Sequence, residues 1–518
     1  MTSFSSGPAA APTRIHQLLD SWVHTQPHAL ALQDPGLALS YLALKEASES
    51  AARQLADLQV RAGDRVLVVG ENCAAIGVLV LALSRLDAWS IVVNARLSER
   101  EIDTFIAHSG ARRVIYTCHV SADAQKHAQR HGALAQSWGE IGTLWVGALA
   151  REVQPEPCSP EARDQVASMI YTSGTSGAPK GVMLTHANLM FAAASARDIR
   201  GLGPGDLIYG VLPMAHVVGL STQFLGCIAS GAALQLEPRF SPAALAQALA
   251  QQGVTAFVGV PAMFAKLLDW AREQGQALQA PALRFACVVG SPLTPSLKAA
   301  VEVALGQPLH NGYGLTETAP TVAQTRIEAP RRDCTVGFPL PGVQTRIVDA
   351  GAGAEPAAGG VGELWVRGPN LMKGYYRNEA LTREVVNEEG WFNTGDMARR
   401  DADGALHIVG RSKELIIRSG FNVYPVEVEQ ALNSHPAVVQ SAVVGRTVEH
   451  NEEVVAFVEL VSDAQPGEEA MREYLRERLS PYKVPSEIRF LAQLPAAPTG
   501  KILKSELKTL ALQGRTPL

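Results

Sequence analysis

The chain has 518 residues, with 45 Lys+Arg against 50 Asp+Glu and a formal charge of −5 at pH 7. A hydrophobic content of 47% in a chain this long is enough to bury several cores, so wholesale disorder is excluded, and roughly 100–200 residues per domain implies about three structural units. The small negative balance leaves no basic stripe of the kind that nucleic-acid binding needs.

The first elements alternate. Helical stretches (IHQLLDSWVHTQP, YLALKEASESAARQLADL) are interleaved with β-branched runs (RVLVVG, SIVVN, RRVIYT) up to about Ile170, which predicts an α/β fold with parallel strands. A second alternating set runs from Asp206 to Pro320. It has strands in DLIYGVLP, AALQL, TAFVGV and FACVVG and helices around FSPAALAQALAQQ and PAMFAKLLDWAREQ. Within it, Leu207–Leu236 carries no Asp, Glu, Lys or Arg, but Pro213, His216, Ser221, Thr222 and Gln223 interrupt it, so buried core is favoured over a membrane span.

After Pro339 the texture turns β-rich (VQTRIVD, GELWVRG, ALHIVG), predicting a small β-barrel-like unit that closes the large lobe. From Ser412 a separate module is expected, with ELIIRSG, a helix opening at Pro425, two strands and a further helix, EEAMREYLRERL. The predicted domains are therefore 1–411, a large N-terminal lobe, and 412–518, a small α+β module. The six cysteines (Cys73, Cys118, Cys158, Cys227, Cys287, Cys334) have neither zinc nor redox spacing and read as reduced thiols. The opening MTSFSSGPAAAPTR lacks a basic stretch followed by an apolar one, so no secretory leader is expected and the cytoplasm is the predicted location.

The segment YTSGTSGAPKGVMLTH (171–186) concentrates hydroxyls (Thr172, Ser173, Thr175), glycines (Gly174 among them) and Lys180 between two apolar runs. Such a loop offers backbone N–H groups and a cation to phosphate oxygens, whereas a plain surface turn would need no such density. It is not a mononucleotide P-loop: counted from Gly174, Pro179 stands where the second glycine belongs and Gly181 where a Ser or Thr belongs. Gly201, Gly203 and Gly205 likewise miss the dinucleotide-binding spacing.

This loop closely resembles the signature of the AMP-forming adenylate-forming enzymes, which include acyl-CoA synthetases, peptide-synthetase adenylation domains and luciferases. The resemblance extends in order through PMAHVVG (213–219), NGYGLTETAP (311–320), GWFNTGDMA (390–398), GRSKELIIRSGFNVYPVEVE (410–429) and PTGKILK (498–504). It implies a two-step reaction in which a carboxylate attacks the α-phosphate of Mg-ATP and a thiol then displaces AMP. It also implies roles. Thr172, Ser173, Gly174, Thr175 and Lys180 would hold the terminal phosphates, Thr316 the α-phosphate and Glu317 magnesium, which needs only one or two protein carboxylates. Asn311, Gly312 and Tyr313 would receive adenine, and Asp396 with Arg411 the ribose. Lys501 would bridge acid and phosphate during adenylation. Lys413 would be the hinge about which the small module swivels, presenting Ser419, Gly420 and Phe421 to the pantetheine of CoA.

By the same resemblance His216 lies at the mouth of the acyl pocket and belongs, with Lys501, Thr316 and Glu317, to the catalytic set. Its walls would be Val217, Val218, Val260, Gly290, Ser291, Gly312 and Pro320. That set carries no Lys or Arg, which disfavours a dicarboxylate because an unpaired buried carboxylate is costly. Ala215 stands where relatives often carry a bulky aromatic, and Val289 to Pro292 replaces a Gly/Ala-rich run. The HVVG run is similar to that of halobenzoate CoA ligases. The expectation is an aryl acid such as a benzoate or hydroxycinnamate, or a medium-chain fatty acid, ligated to CoA with ATP and Mg2+. Loading of a carrier-protein pantetheine, a catalytically silent nucleotide- or acyl-binding protein, and a luciferase-like oxygenase stand as alternatives. Small molecules are the expected partners, and a homodimer is compatible with the chain.

Overall fold

A computed structural model describes residues 11–172, 179–349, 353–419, 421–448, 451–461, 466–496 and 502–513. Ser173, Gly174, Thr175, Gly420 and Lys501 lie outside the described residues. The chain divides into two compact units, Met1–Phe240 with Thr316–Pro320 and Pro369–Thr382, and Ser241–Leu315 with Thr321–Gly368 and Arg383–Leu518.

The first unit holds an eight-stranded sheet in the order Gly374–Tyr375, Lys180–Thr185, Val166–Thr172, Trp89–Asn94, Arg65–Gly70, Arg113–Tyr116, Thr143–Val146, Leu134–Ser137. Its middle strands are parallel, as the alternation of helical and β-branched segments implies, and antiparallel strands flank them. Arg65–Gly70 is buried along its whole length, the continuous apolar reading that parallel strands require when both faces are covered. A helix at Ala74–Arg85 is buried on every side from Ala74 to Ser84. A Cβ on its Gly77 would come within 2.9 Å of both Leu32 and Phe224, so glycine permits that close packing. Four more strands, Leu207–Gly210, Ala233–Leu236, Leu30–Asp34 and Leu37–Ser40, run side by side in that order.

The uncharged stretch 207–236 enters this unit as strand Leu207–Gly210, a π-helical turn at Val218–Leu225, a short helix at Gly226–Ser230 and strand Ala233–Leu236. It is core: every residue of Val218–Leu225 is buried, and no helix among the described residues is long and apolar enough to cross a membrane.

In the second unit three parallel strands, Ala256–Gly259, Phe285–Val288 and Leu309–Gly314, are followed by antiparallel Thr321–Gln324 and Phe338–Pro339. The β-rich stretch forms an antiparallel sheet ordered Gln344–Val348, Gly362–Arg367, Phe392–Arg400, Leu406–Arg411. It stays open, with no closed barrel among the described residues.

From Ile416 onward the chain packs cores of its own on both faces of a sheet made of Val438–Val448, Asn451–Leu460 and Glu487–Leu491. Val443, Val454, Ala456 and Val458 point to the side of helices Pro425–Asn433 and Glu468–Arg476, while Ala442, Val444, Val455 and Phe457 point to helix Lys504–Leu512. The two-residue period of a strand produces this split, so consecutive apolar residues here mean two covered faces.

Candidate functional site

In the first unit the phosphate-loop candidate is anchored by a strand pair. Val166–Thr172 and Lys180–Thr185 run antiparallel with Thr172 opposite Lys180 and Tyr171 opposite Gly181. A Cβ on Gly181 would lie 2.6 Å from the Met169 sulfur, so glycine is needed for this close approach.

Thr316, Glu317 and Thr318 form a single 3-10 turn. The Met372 N–H donates to the Glu317 carbonyl at 2.8 Å, and the Tyr375 hydroxyl donates to Glu317 Oε1 at 2.7 Å. Among the described residues no hydrogen bond or ion pair reaches Oε2, and no cluster of three metal-binding side chains occurs. One half-buried carboxylate beside the buried Thr316 suits a cation that takes most of its ligands from phosphate and water, so this donor set fits magnesium. Lys180 Nζ lies 5.4 Å from the Tyr375 ring centre.

His216 is half-buried, and its Nδ1 faces the Val218 N–H at 3.4 Å. A Cβ on Gly219 would fall 2.2 Å from the Pro213 carbonyl oxygen, which explains the glycine that ends PMAHVVG. The π-helical turn after His216, a geometry enriched at functional sites, buries Val217 and Val218. Ser221 Oγ donates to the carbonyls of Val217 (2.7 Å) and Ala319 (3.1 Å), tying this turn to the segment that carries Glu317 and the buried Pro320.

The second unit gathers the nucleoside candidates. Asp396, 3% exposed, accepts from the Tyr313 hydroxyl at Oδ2 (2.6 Å) and from Arg411 Nε at Oδ1 (3.0 Å). Asp396 and Arg411 are register partners on adjacent strands, so the sheet itself aligns them. Burial, and then the Asp396 charge, push the Tyr313 hydroxyl well above the ordinary tyrosine range, so it stays a donor. The Asn311 amide donates to the carbonyls of Cys334 (3.0 Å) and Thr335 (3.2 Å), holding its strand to the segment that follows. Val260, Gly290, Ser291 and Gly312 follow or end the three parallel strands, the edge where open α/β sheets bind ligands. Gly290 has φ +81°, and a Cβ there would rest 3.6 Å from Val260 Cγ1.

Lys413 is exposed in the turn Ser412–Glu414, directly after strand Leu406–Arg411. Before it, Ser412 Oγ donates to Glu363 at 2.8 Å; after it, Glu414 pairs with Lys504. Ser419 takes φ +52° and donates its N–H to Asn451 at 2.7 Å. Phe421 is 55% exposed and stacks on Tyr482 with ring centres 4.7 Å apart. Ala496 and Ile502 pair in an isolated antiparallel bridge. Lys504 pairs with Glu414 (2.7 Å) and Glu429 (2.8 Å). Burial pulls its ammonium down, but the two carboxylates outweigh this and hold it above the usual lysine range.

Two residues of these arrangements went unassigned in the sequence. Lys504 stands inside PTGKILK, where its spacing from Lys501 was the available signal. Tyr375 lies 58 positions from Glu317, a separation that no local pattern reports.

Comparison with known proteins places these features in a family setting. The model of the AMP-binding enzyme matches residues 19–376, and that of the AMP-binding enzyme C-terminal domain matches 427–501. Feruloyl-CoA synthase of an Amycolatopsis species is 34% identical over 95% of this chain and 99% of its own. The 2-succinylbenzoate–CoA ligase of Geobacillus kaustophilus is 35% identical over 93% of this chain and 95% of its own. Among solved structures, o-succinylbenzoate CoA synthetase from Bacillus subtilis in complex with ATP and magnesium superposes with a TM-score of 0.80 at 28% identity, covering 95% of this chain and 99% of that one.

Proposed function

The chain belongs to the AMP-binding enzyme family, and from that premise we propose that it ligates an aromatic monocarboxylic acid to CoA through an acyl-adenylate, releasing AMP and pyrophosphate. The observation that carries this reading is Asp396, a buried, acceptor-only carboxylate fixed by a neutral hydroxyl donor and a guanidinium, of the type that accepts from vicinal ribose hydroxyls.

Each assignment is the one that the family resemblance implies, and the chemistry of the side chain suits it. Asp396 and Arg411 take the ribose, while Tyr313, Gly312 and Asn311 frame the adenine. Thr172, Ser173, Gly174, Thr175 and Lys180 take the terminal phosphates, and Thr316 the α-phosphate. Glu317 would hold magnesium, which when bound neutralises phosphate charge. Attack by a carboxylate on a polyanion needs cations and donors fixed beforehand, and Lys180 and Lys501 supply the charge. Lys501 acts in adenylation; the module from 412 onward then turns about Lys413 and presents Ser419, Gly420 and Phe421 to the thiol. The division into 1–411 and 412–518 is supported by the separate cores beyond Ile416 and by the two family models.

For the acid, the wall set His216, Val217, Val218, Val260, Gly290, Ser291, Gly312 and Pro320 supplies no cation. A relative named for feruloyl, a hydroxycinnamoyl group, supports an aryl acid ahead of a medium-chain fatty acid. Six free cysteines suit a reducing cytoplasm. Association as a homodimer is part of the reading and is read out by sedimentation velocity.

Pyrophosphate release with Mg-ATP across benzoates, hydroxycinnamates and C4–C12 fatty acids, with and without CoA, tests the proposal. Release that depends on an aryl acid and is strongly accelerated by CoA is expected. Acid-dependent release indifferent to CoA would move the acceptor to a carrier-protein thiol, and no release with any acid of the panel would overturn the aryl-acid reading.

A further inference from the structure

Tyr375 is buried, and its place is set by three elements of the first unit. The strand Gly374–Tyr375 pairs antiparallel with Lys180–Thr185, Tyr375 lying opposite Val182. Its N–H donates to Thr382 Oγ1 at 3.0 Å, fixing the backbone. Its hydroxyl then meets Glu317 Oε1 at 2.7 Å, and its ring faces the Lys180 ammonium at 5.4 Å. Because the Met372 N–H holds the Glu317 carbonyl, the same short segment grips Glu317 by backbone and by side chain.

We infer that Tyr375 is a positioning residue for Glu317: its hydroxyl occupies Oε1 and so turns Oε2 toward the cation, while its ring tethers the lysine of the phosphate loop to the same point. The inference rests on the reading in which Glu317 is the magnesium ligand. A carboxylate swings freely about its last torsion, and a partner on one oxygen removes that freedom before the metal arrives. Tyrosine suits the task because a neutral donor orients the carboxylate without cancelling its charge, as an arginine or lysine there would. The ring adds a face that attracts an ammonium without neutralising it. A single residue thereby couples the metal ligand to the phosphate-binding cation, although the two lie far apart in sequence.

Tyr375→Phe removes the hydroxyl and keeps the ring. In the full-length protein, binding of Mn2+ as a paramagnetic probe in the presence of ATP is measured by water-proton relaxation, for wild type, Tyr375→Phe and Glu317→Gln. The expected result is about tenfold weaker Mn2+ binding in Tyr375→Phe, in the range that outer-shell partners of metal ligands command. The Mg2+ concentration for half-maximal pyrophosphate release rises in parallel, while the reaction of supplied acyl-adenylate with CoA stays within about twofold of wild type. Unchanged Mn2+ affinity in Tyr375→Phe alongside weakened affinity in Glu317→Gln overturns the positioning role. Unchanged affinity in both variants removes Glu317 as the metal ligand, and this inference falls with it. Equal loss of both half-reactions with Mn2+ affinity intact marks Tyr375 as merely structural and overturns the inference as well.

Discussion

Lys504 Nζ lies 2.7 Å from Glu414 Oε2, so the first residues of the last helix are tied to the residue that directly follows Lys413. Glu429, on helix Pro425–Asn433, closes the same ionic cluster at 2.8 Å. Helix Lys504–Leu512 is thus braced at its first residue against the start of the module that is proposed to move.

If Lys501 serves adenylation alone, Lys501→Ala slows acid-dependent pyrophosphate release by roughly 10²-fold or more, the scale on which an aimed donor to developing charge acts. The reaction of supplied acyl-adenylate with CoA should hardly change. Stopped-flow measurement of each half-reaction separates the two, and a parallel loss would give Lys501 another role.

Lys413→Pro restricts φ at the proposed hinge. Thioester formation is expected to slow by about an order of magnitude while adenylation changes little, because only the second step requires the swivel. Equal slowing of both steps counts against Lys413 as the hinge.

Asp396→Asn keeps shape and removes charge. A charge-assisted hydrogen bond contributes about 1.5–3 kcal/mol, so KM for ATP should rise about tenfold or more while KM for the acid stays near wild type. A rise confined to the acid would take Asp396 off the ribose.

Gly219→Ala sets a methyl group 2.2 Å from the Pro213 carbonyl oxygen, and backbone cannot step aside as a side-chain tip can. Overpacking of this kind costs at least about 1–3 kcal/mol, read as a lowered urea midpoint. Gly203→Ala is the control: nothing lies within 4 Å of the added atom, and the effect should stay within about 0.5 kcal/mol.

Acid sensitivity has an identifiable source in His16 and His186, whose pKa values burial lowers to about 4 and about 3. His186 accepts the Ile15 N–H at Nδ1, while its buried Nε2 has no hydrogen-bond partner among the described residues and lies 4.0 Å from Asp87 Oδ1. Unfolded, both take up a proton near pH 6.5; folded, both stay neutral until far lower pH. Their contribution is therefore complete above about pH 6.5 and is lost as pH falls toward the folded values, at up to about 1.4 kcal/mol per pH unit for each group. In urea titrations between pH 7 and 4, His186→Asn should flatten the slope by about one proton, and an unchanged slope would assign the loss to other groups.

Element types were legible in the chain because their causes are local. The β-branched runs RVLVVG and FACVVG became strands Arg65–Gly70 and Phe285–Val288, and proline at the first turn opened helix Pro425–Asn433, each as its own residues dictate. The chemistry of the candidate residues was legible too, since hydroxyls, glycines and a lysine packed into one loop have few other uses. Partnership was not. That Tyr375 meets Glu317, that Tyr313 and Arg411 share Asp396, and that Lys504 reaches both Glu414 and Glu429 depend on strand register and on turns that join distant segments. The eight uncharged residues Val218–Leu225 show the same limit: composition marks them as buried, but only packing around Gly219 and the Ser221 hydrogen bonds selects a π-helical turn. Sequence by itself determined which groups carry the donors, acceptors and charges that phosphate, ribose or metal binding calls for, because those properties belong to single side chains. Tertiary structure decided how each group is aimed, because aim is a relation between residues that the backbone brings together only after folding.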